Sequence, residues 1–238
     1  MVKKYSQLYL EARSSFLKQE DQQTASLLAR SLLCYVSGKS QEQIIADREM
    51  YANQDICAAM EGAVQRVLDL CTGSGCIGLA IANRVKDARV TLADVSRDAL
   101  AVAKKNITRH KLSARVSCVQ ADALQPASSF LGKFDMIVSN PPYITAKEMT
   151  ELEACVRDFE PEMALYGGED GLDFYRAIVK NYTSALKPGG FLCFEFGMGQ
   201  GDDVCDILVK NGYTVLERVQ DFNERERAVL AQYGGKEE

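Results

Sequence analysis

Val64-Gln65-Arg66-Val67-Leu68-Asp69-Leu70-Cys71-Thr72-Gly73-Ser74-Gly75-Cys76-Ile77-Gly78 joins a strand-like run to a helix-like one through a glycine loop. Gly73, Gly75 and Gly78 make the spacing G-x-G-x-x-G. Glycine at these points permits a tight turn and close approach of backbone to a ligand. Alone the motif is weak. It also suits a nicotinamide or flavin cofactor, or a plain turn with an acid capping the next helix.

Outward from this loop the chain alternates. Strand-like runs are Val64–Leu70, Arg89–Val95, Arg115–Val119, Phe134–Ser139, Gly190–Phe196, Tyr213–Val219 and Ala228–Tyr233. Helix-like stretches between them are Ile77–Val85, Ser96–His110, Leu172–Leu186 and Asp202–Lys210, and Asp170 with Asp173 reads as a capping-box-like start. Such alternation predicts an α/β fold with a doubly wound, mostly parallel sheet. Only Asp221–Arg227 separates the last two strands, too little for a helical crossover, so the last strand is expected to pair antiparallel. Residues 1–60 read differently, as helices alone. Leu27, Leu28, Ala29, Leu32, Leu33 and Val36 form a stripe at helical spacing, Gly38-Lys39-Ser40 breaks it, and Ser40 is placed to cap the next helix. The expected organisation is a small helical domain over 1–60 and a larger α/β domain over 64–238.

Three acids sharpen the glycine loop. Asp94 ends the second strand about 20 residues on, where a carboxylate accepts from ribose hydroxyls. Asp69 stands just before the loop, where it would repel a pyrophosphate but suit an ammonium group. S-Adenosylmethionine has a ribose and an ammonium group and no phosphate. The expected cofactor contacts are therefore Asp69, Cys71, Thr72, Gly73, Ser74, Gly75 and Asp94. Asp122, after the third strand, would accept from the adenine amino group while Ala123 and Leu124 pack on the ring; a surface turn is the other reading.

The fourth strand ends in Asn140-Pro141-Pro142-Tyr143, the most specific signal in the chain. Proline fixes its own φ and pushes the preceding residue toward extended conformations. The Asn140 side-chain oxygen and the Pro141 carbonyl are then two fixed acceptors for the hydrogens of a planar NH2 group. Pro142 stiffens the loop, and Tyr143 can pack on the flat face of that group. An amide or exocyclic amine is a weak nucleophile, and acceptors on both hydrogens favour the charge that builds on nitrogen during attack on a sulfonium methyl. Asn140 thus belongs to both the catalytic and the cofactor sets.

Composition excludes other classes. The chain has 238 residues, 47% hydrophobic and 26% charged, with a net charge of −5, an ordinary globular balance. No run of about 18 apolar residues exists for a membrane span, and the N-terminus lacks a signal-peptide core. A cytoplasmic protein is expected. The acidic balance weighs against phosphate-dominated nucleic-acid binding. The eight cysteines form no C-x-x-C pair and read as buried reduced thiols, so no metal is expected. The single histidine, His110, reads as a solvated helix end, which excludes a mechanism built on two histidines.

Together, Asp69-Leu-Cys-Thr-Gly-Ser-Gly75, Asp94, Asn140-Pro-Pro-Tyr143 and the downstream Phe159-Glu160-Pro161, Ala164-Leu165, Gly167-Gly168 and Asp170-Gly171-Leu172 resemble the release-factor glutamine methyltransferase family. The resemblance covers residues 64–238 and, less specifically, 1–60. It implies a class I methyltransferase fold with a small helical substrate-recognition domain. It also implies S-adenosylmethionine as cofactor, and methyl transfer to the glutamine amide of the Gly-Gly-Gln motif in peptide chain release factors. A monomer acting on a protein partner, with no membrane or direct nucleic-acid binding, is expected. One departure stands out. The family's β-hairpin linker and Arg-Pro-Glu-Thr segment have no counterpart, because Met60-Glu61-Gly62-Ala63 leads directly to Val64. Two alternatives stay open: an adenine or guanine amine methyltransferase, and a cofactor-binding remnant without catalysis.

Overall fold

The computed structural model describes residues 4–17, 43, 66–152, 161–221 and 223–234. The helical stripe over 27–36, the Ser40 cap, the shortened linker, and Cys34, Cys57 and Cys155 lie outside the described residues. The chain divides into two compact units, 1–65 with 84–87, and 66–83 with 88–238. The first contributes one described helix, α1 (Tyr5–Leu17), on which Tyr5 and Leu8 are buried.

The second unit is the α/β domain. Its elements are β1 (Arg66–Leu70), α2 (Cys76–Arg84), β2 (Arg89–Asp94), α3 (Arg97–Arg109), β3 (Val116–Gln120), β4 (Phe134–Ser139), α4 (Ala146–Thr150), α5 (Asp173–Tyr182), β5 (Leu186–Glu195), α6 (Gly201–Lys210), β6 (Tyr213–Gln220) and β7 (Glu226–Tyr233). They build a seven-stranded sheet in the order β3-β2-β1-β4-β5-β7-β6. β7 runs antiparallel to both of its neighbours, and the remaining pairs are parallel. Leu68, Leu70, Leu92, Ile137, Leu192 and Phe194 fill the centre at 0–1% exposure, as a sheet covered on both faces requires. The antiparallel last strand follows from the short β6–β7 connection, as expected.

Three local expectations need correction. The fifth strand begins at Leu186, not Gly190, and the preceding helix ends at Tyr182 with a tight turn over Thr183–Ala185. The pairing of β4 with β5 shifts register between Phe134 and Met136, which accommodates Pro188 and the left-handed Gly189 as an irregularity inside the strand. Asp170 and Asp173 form no capping box. Leu172 holds the N-cap position of α5 without a side-chain cap, while the Asp170 carboxylate accepts from the Leu172 N–H and pairs with Arg176. The capping box instead opens α4, between Thr145 and Glu148. The described cysteines are free; the Cys71 and Cys193 thiols are buried, as expected, whereas Cys118 and Cys205 are partly exposed and Cys76 is exposed. His110 caps the C-terminus of α3 through its backbone, as expected.

Candidate active site

β1 lies between β2 and β4, so the strand order reverses there, and in open α/β sheets ligands bind outside the carboxyl ends of strands at such a point. Pairing of Leu70 with Ser139 sets the glycine loop beside Asn140-Pro-Pro-Tyr, although 69 residues separate the strand ends. The Ser139 hydroxyl fastens the two by donating to the Leu70 carbonyl at 2.6 Å.

The glycine loop is shaped from beneath. Cys71, Gly73 and Gly75 all have positive φ, at 58°, 55° and 85°. The Thr72 N–H donates to the Ala93 carbonyl, and the Asn106 side chain donates to the Ser74 carbonyl. Gly78 is required by contact: a Cβ there would lie 2.3 Å from Leu92 Cδ2 and 2.9 Å from Asp69 Oδ2. Its bare backbone lets the N–H donate to Asp69 Oδ2 at 2.8 Å, beside the Thr72 hydroxyl at 2.6 Å.

Asp69 is drawn beneath the loop by these two bonds. It is 1% exposed and organises the loop through Oδ2. Its Oδ1 is buried without a hydrogen-bond partner. Burial pushes the carboxyl up from 3.8 to about 6; the Thr72 and Gly78 hydrogen bonds oppose that rise, and the charge of Asp94 adds to it. Between these values the native chain holds a proton that the unfolded chain has lost, so stability falls as pH rises from about 4 to 6. The cost at neutral pH is roughly 3 kcal/mol. Asp69→Asn removes the charge and keeps an acceptor. Chemical denaturation across pH 4–7 is expected to show this part of the slope vanish, and a slope retained in the variant would assign it elsewhere.

Asp94 sits where expected, at the end of β2. Its Oδ2 accepts from Gly73 N–H at 2.8 Å and its Oδ1 from Ser96 N–H at 2.9 Å. Each oxygen has a further lone pair for ribose hydroxyls. Asp122 accepts from the Leu124 N–H, and its carbonyl is held by the Tyr182 hydroxyl. Ala123, expected to pack on the adenine ring, lies against the core. It is buried at 4% exposure in the core, and the apolar surface left open beside these acids belongs to Val95 and Leu124, each 43% exposed. An orphaned buried carboxylate oxygen, acids at two strand ends and open apolar side chains beside them fit a cationic adenosyl ligand.

Asn140 is exposed, Pro141 and Pro142 are buried, and Tyr143 packs on the core. The loop is gripped by the segment after it. Ile144 N–H donates to the Leu165 carbonyl and Gly167 N–H to the Ile144 carbonyl, each at 2.9 Å. The Gln200 side chain reaches the Tyr143 carbonyl, also at 2.9 Å. Sequence reading missed Gln200, whose partners lie far along the chain. Burial pushes the Cys71 thiol up to about 12, so it is no nucleophile at neutral pH. Among the described residues no group of His, Cys, Asp and Glu could hold a metal ion. None of their helices is long and apolar enough to cross a membrane.

Residues 54–158 match the methyltransferase small domain family. The release factor glutamine methyltransferase of Clostridium acetobutylicum is 44% identical over 171 residues, 72% of this chain and 60% of that protein. The enzyme of the same name from Geobacter sulfurreducens is 38% identical over 188 residues, 79% of this chain and 64% of that protein. The chain thus spans about three fifths of the length of these relatives. Among solved structures, a methyltransferase from Pyrococcus furiosus aligns with a TM-score of 0.53 at 20% identity, covering 72% of this chain and 76% of that one. The glycopeptide N-methyltransferase MtfA, complexed with S-adenosyl-L-methionine, aligns at 0.52 and 16% identity over 75% of this chain and 87% of that one. Both share the fold. The chain therefore has a class I methyltransferase fold, and its sequence is similar to those of release factor glutamine methyltransferases.

Proposed function

We propose that the chain transfers a methyl group from S-adenosylmethionine to the side-chain amide nitrogen of the glutamine in the Gly-Gly-Gln motif of peptide chain release factors. The observation that supports this reading is the pairing of β1 with β4, which brings the Cys71–Gly75 loop beside Asn140-Pro-Pro-Tyr143. The names of the relatives support the choice of substrate.

When bound, the cofactor supplies an electrophilic methyl on a sulfonium. Asp94 would hold the ribose, and Asp122 with Leu124 the adenine. The buried charge of Asp69 would favour the ammonium group through the loop it organises. Asn140 Oδ1 and the Pro141 carbonyl would accept the two amide hydrogens and hold nitrogen in line with the methyl. Fixed acceptors placed where charge develops lower the barrier, and orientation contributes alongside them.

A protein substrate suits the surroundings. Tyr166 pairs with Ile144, and Met198 follows Gly197, which abuts the Tyr143 ring. Both are exposed, as is Met163, and Glu162, Glu169 and Asp170 lie in the same segment. An apolar rim with acidic neighbours favours a peptide over a nucleic acid. Residues 1–60 would recognise the rest of the release factor, and the chain would act as a cytoplasmic monomer.

The test is methyl transfer from labelled cofactor to a purified release factor and to its Gln→Ala variant. Label is expected on the first only. Equal labelling, or none, overturns the reading, and label entering nucleic acid instead favours the amine alternative. Asp94→Ala is expected to weaken cofactor binding by roughly 1.5–3 kcal/mol, as for loss of hydrogen bonds to a charged group. Unchanged affinity by calorimetry removes Asp94 from the site.

A further inference from the structure

Pro141 and Pro142 have no N–H, so the backbone of the Asn-Pro-Pro-Tyr loop must be anchored through its carbonyls and through the N–H groups that follow. The peptide plane between Tyr143 and Ile144 is held from opposite sides. Its N–H donates to the Leu165 carbonyl at 2.9 Å, and its carbonyl accepts from Gln200 Nε2 at 2.9 Å. In a trans peptide these two groups point in opposite directions, so bonds at both fix the tilt of the plane.

Gln200 holds more than this carbonyl. The same Nε2 lies 3.4 Å from the Gly171 carbonyl, and Oε1 accepts from Gly197 N–H at 2.9 Å. One half-buried amide therefore joins three loops: the one after β4, the one before α5 and the one after β5. The glycines make room for it. A Cβ on Gly171 would lie 2.4 Å from both Gln200 Nε2 and the Tyr143 carbonyl oxygen, and one on Gly197 would lie 2.9 Å from Gln200 Oε1 and Tyr143 Cδ2. Gln200 also occupies the N-cap position of α6, where a short oxygen-bearing side chain is favoured, yet it makes no capping bond. Its side chain is committed to the loops instead.

We infer that Gln200 is a positioning residue, which sets the orientation of the Asn-Pro-Pro-Tyr loop and through it the two acceptors for the substrate NH2. The inference rests on the reading of Asn140 and Pro141 as amide acceptors. Gln200 touches neither substrate nor cofactor in this role. Its loss therefore lowers the rate of transfer and leaves cofactor affinity in place.

Two variants test it. Gln200→Glu keeps the length and the acceptor for Gly197 but loses the NH2 donors; Gln200→Met keeps the length and loses every polar contact. Three quantities are measured in the full chain: the single-turnover rate on the release factor, cofactor affinity by calorimetry, and amide hydrogen exchange resolved at Ile144. Both variants are expected to transfer methyl about 10-fold more slowly, to bind cofactor within twofold of wild type, and to exchange the Ile144 amide about 10-fold faster. The β1 and β2 amides are expected to be unchanged. Transfer within twofold of wild type in both variants overturns the inference. So does a rate loss matched by an equal loss of cofactor affinity and faster exchange across the whole sheet, which marks a general structural role. If the wild-type chain itself transfers nothing to the release factor, the substrate reading fails separately. Exchange at Ile144 then decides alone: faster in the variants supports the positioning role, and unchanged overturns it.

Discussion

Asn140→Ala is expected to slow single-turnover methyl transfer about 100-fold or more, with cofactor affinity changed far less. Asn140 is exposed at the end of β4, so its truncation leaves no cavity and removes no buried contact. The glycine loop is held by Asp69, Asp94, Ala93 and Asn106, none of which depends on it. The proposed bond from the substrate NH2 to its oxygen would strengthen as charge builds on nitrogen, and an interaction realised mainly in the transition state acts on turnover rather than on binding. The magnitude follows that of removing one preorganised partner at a developing charge. Asn140→Asp is the sharper variant. It keeps the shape and an acceptor but adds a negative charge beside the cofactor cation. That charge stabilises the bound cation more than a transition state in which the cation is being neutralised, so turnover falls while cofactor binding holds or tightens. Near wild-type transfer in both variants would make the motif a structural turn.

Much of this arrangement is legible from residue order alone. The strand–helix alternation reports the parallel sheet, because parallel strands need a crossover and the crossovers here carry helical spacing. The seven residues Asp221–Arg227 report the antiparallel end for the converse reason. Asn140-Pro-Pro-Tyr is readable because proline restricts the backbone wherever it stands. What the sequence hides is the direction in which a side chain turns. Asp69 at a strand end reads as a ligand group, yet Thr72 and the bare Gly78 backbone draw it into the loop. Ala123 reads as adenine packing, yet the core takes it and leaves Leu124 outside. Gln200 carries no local signal at all, since its bonds reach carbonyls 57 and 29 residues away. Such contacts arise only when three loops meet at one sheet edge.

Gly167→Ala is expected to lower turnover about as much as loss of Asn140, by a different route. Gly167 is buried, and its N–H is bonded to the Ile144 carbonyl. A Cβ added there would lie 2.6 Å from Tyr143 Cα, 2.7 Å from the Pro142 oxygen and 2.9 Å from the Tyr143 carbonyl carbon, well inside the 3.4 Å at which ordinary contact begins. All three are backbone atoms of the Asn-Pro-Pro-Tyr loop, so no side-chain rotation relieves the overlap. Either Gly167 withdraws and breaks its bond to Ile144, or Pro142 and Tyr143 move toward the substrate. Overpacking of this kind costs about 1–3 kcal/mol of stability. A displacement approaching an ångström at a positioning group costs on the order of 100-fold in rate. The two effects separate by measurement. Denaturant unfolding should report a modest loss of stability and calorimetry an intact cofactor site, since the glycine loop is shaped by β1, β2 and α3 and not by this segment. Single-turnover transfer should then fall far more than the fraction unfolded explains. A variant that loses stability but keeps its rate per folded molecule would show that the loop tolerates the shift, and that the acceptors at Asn140 and Pro141 are not held to the tolerance argued for them.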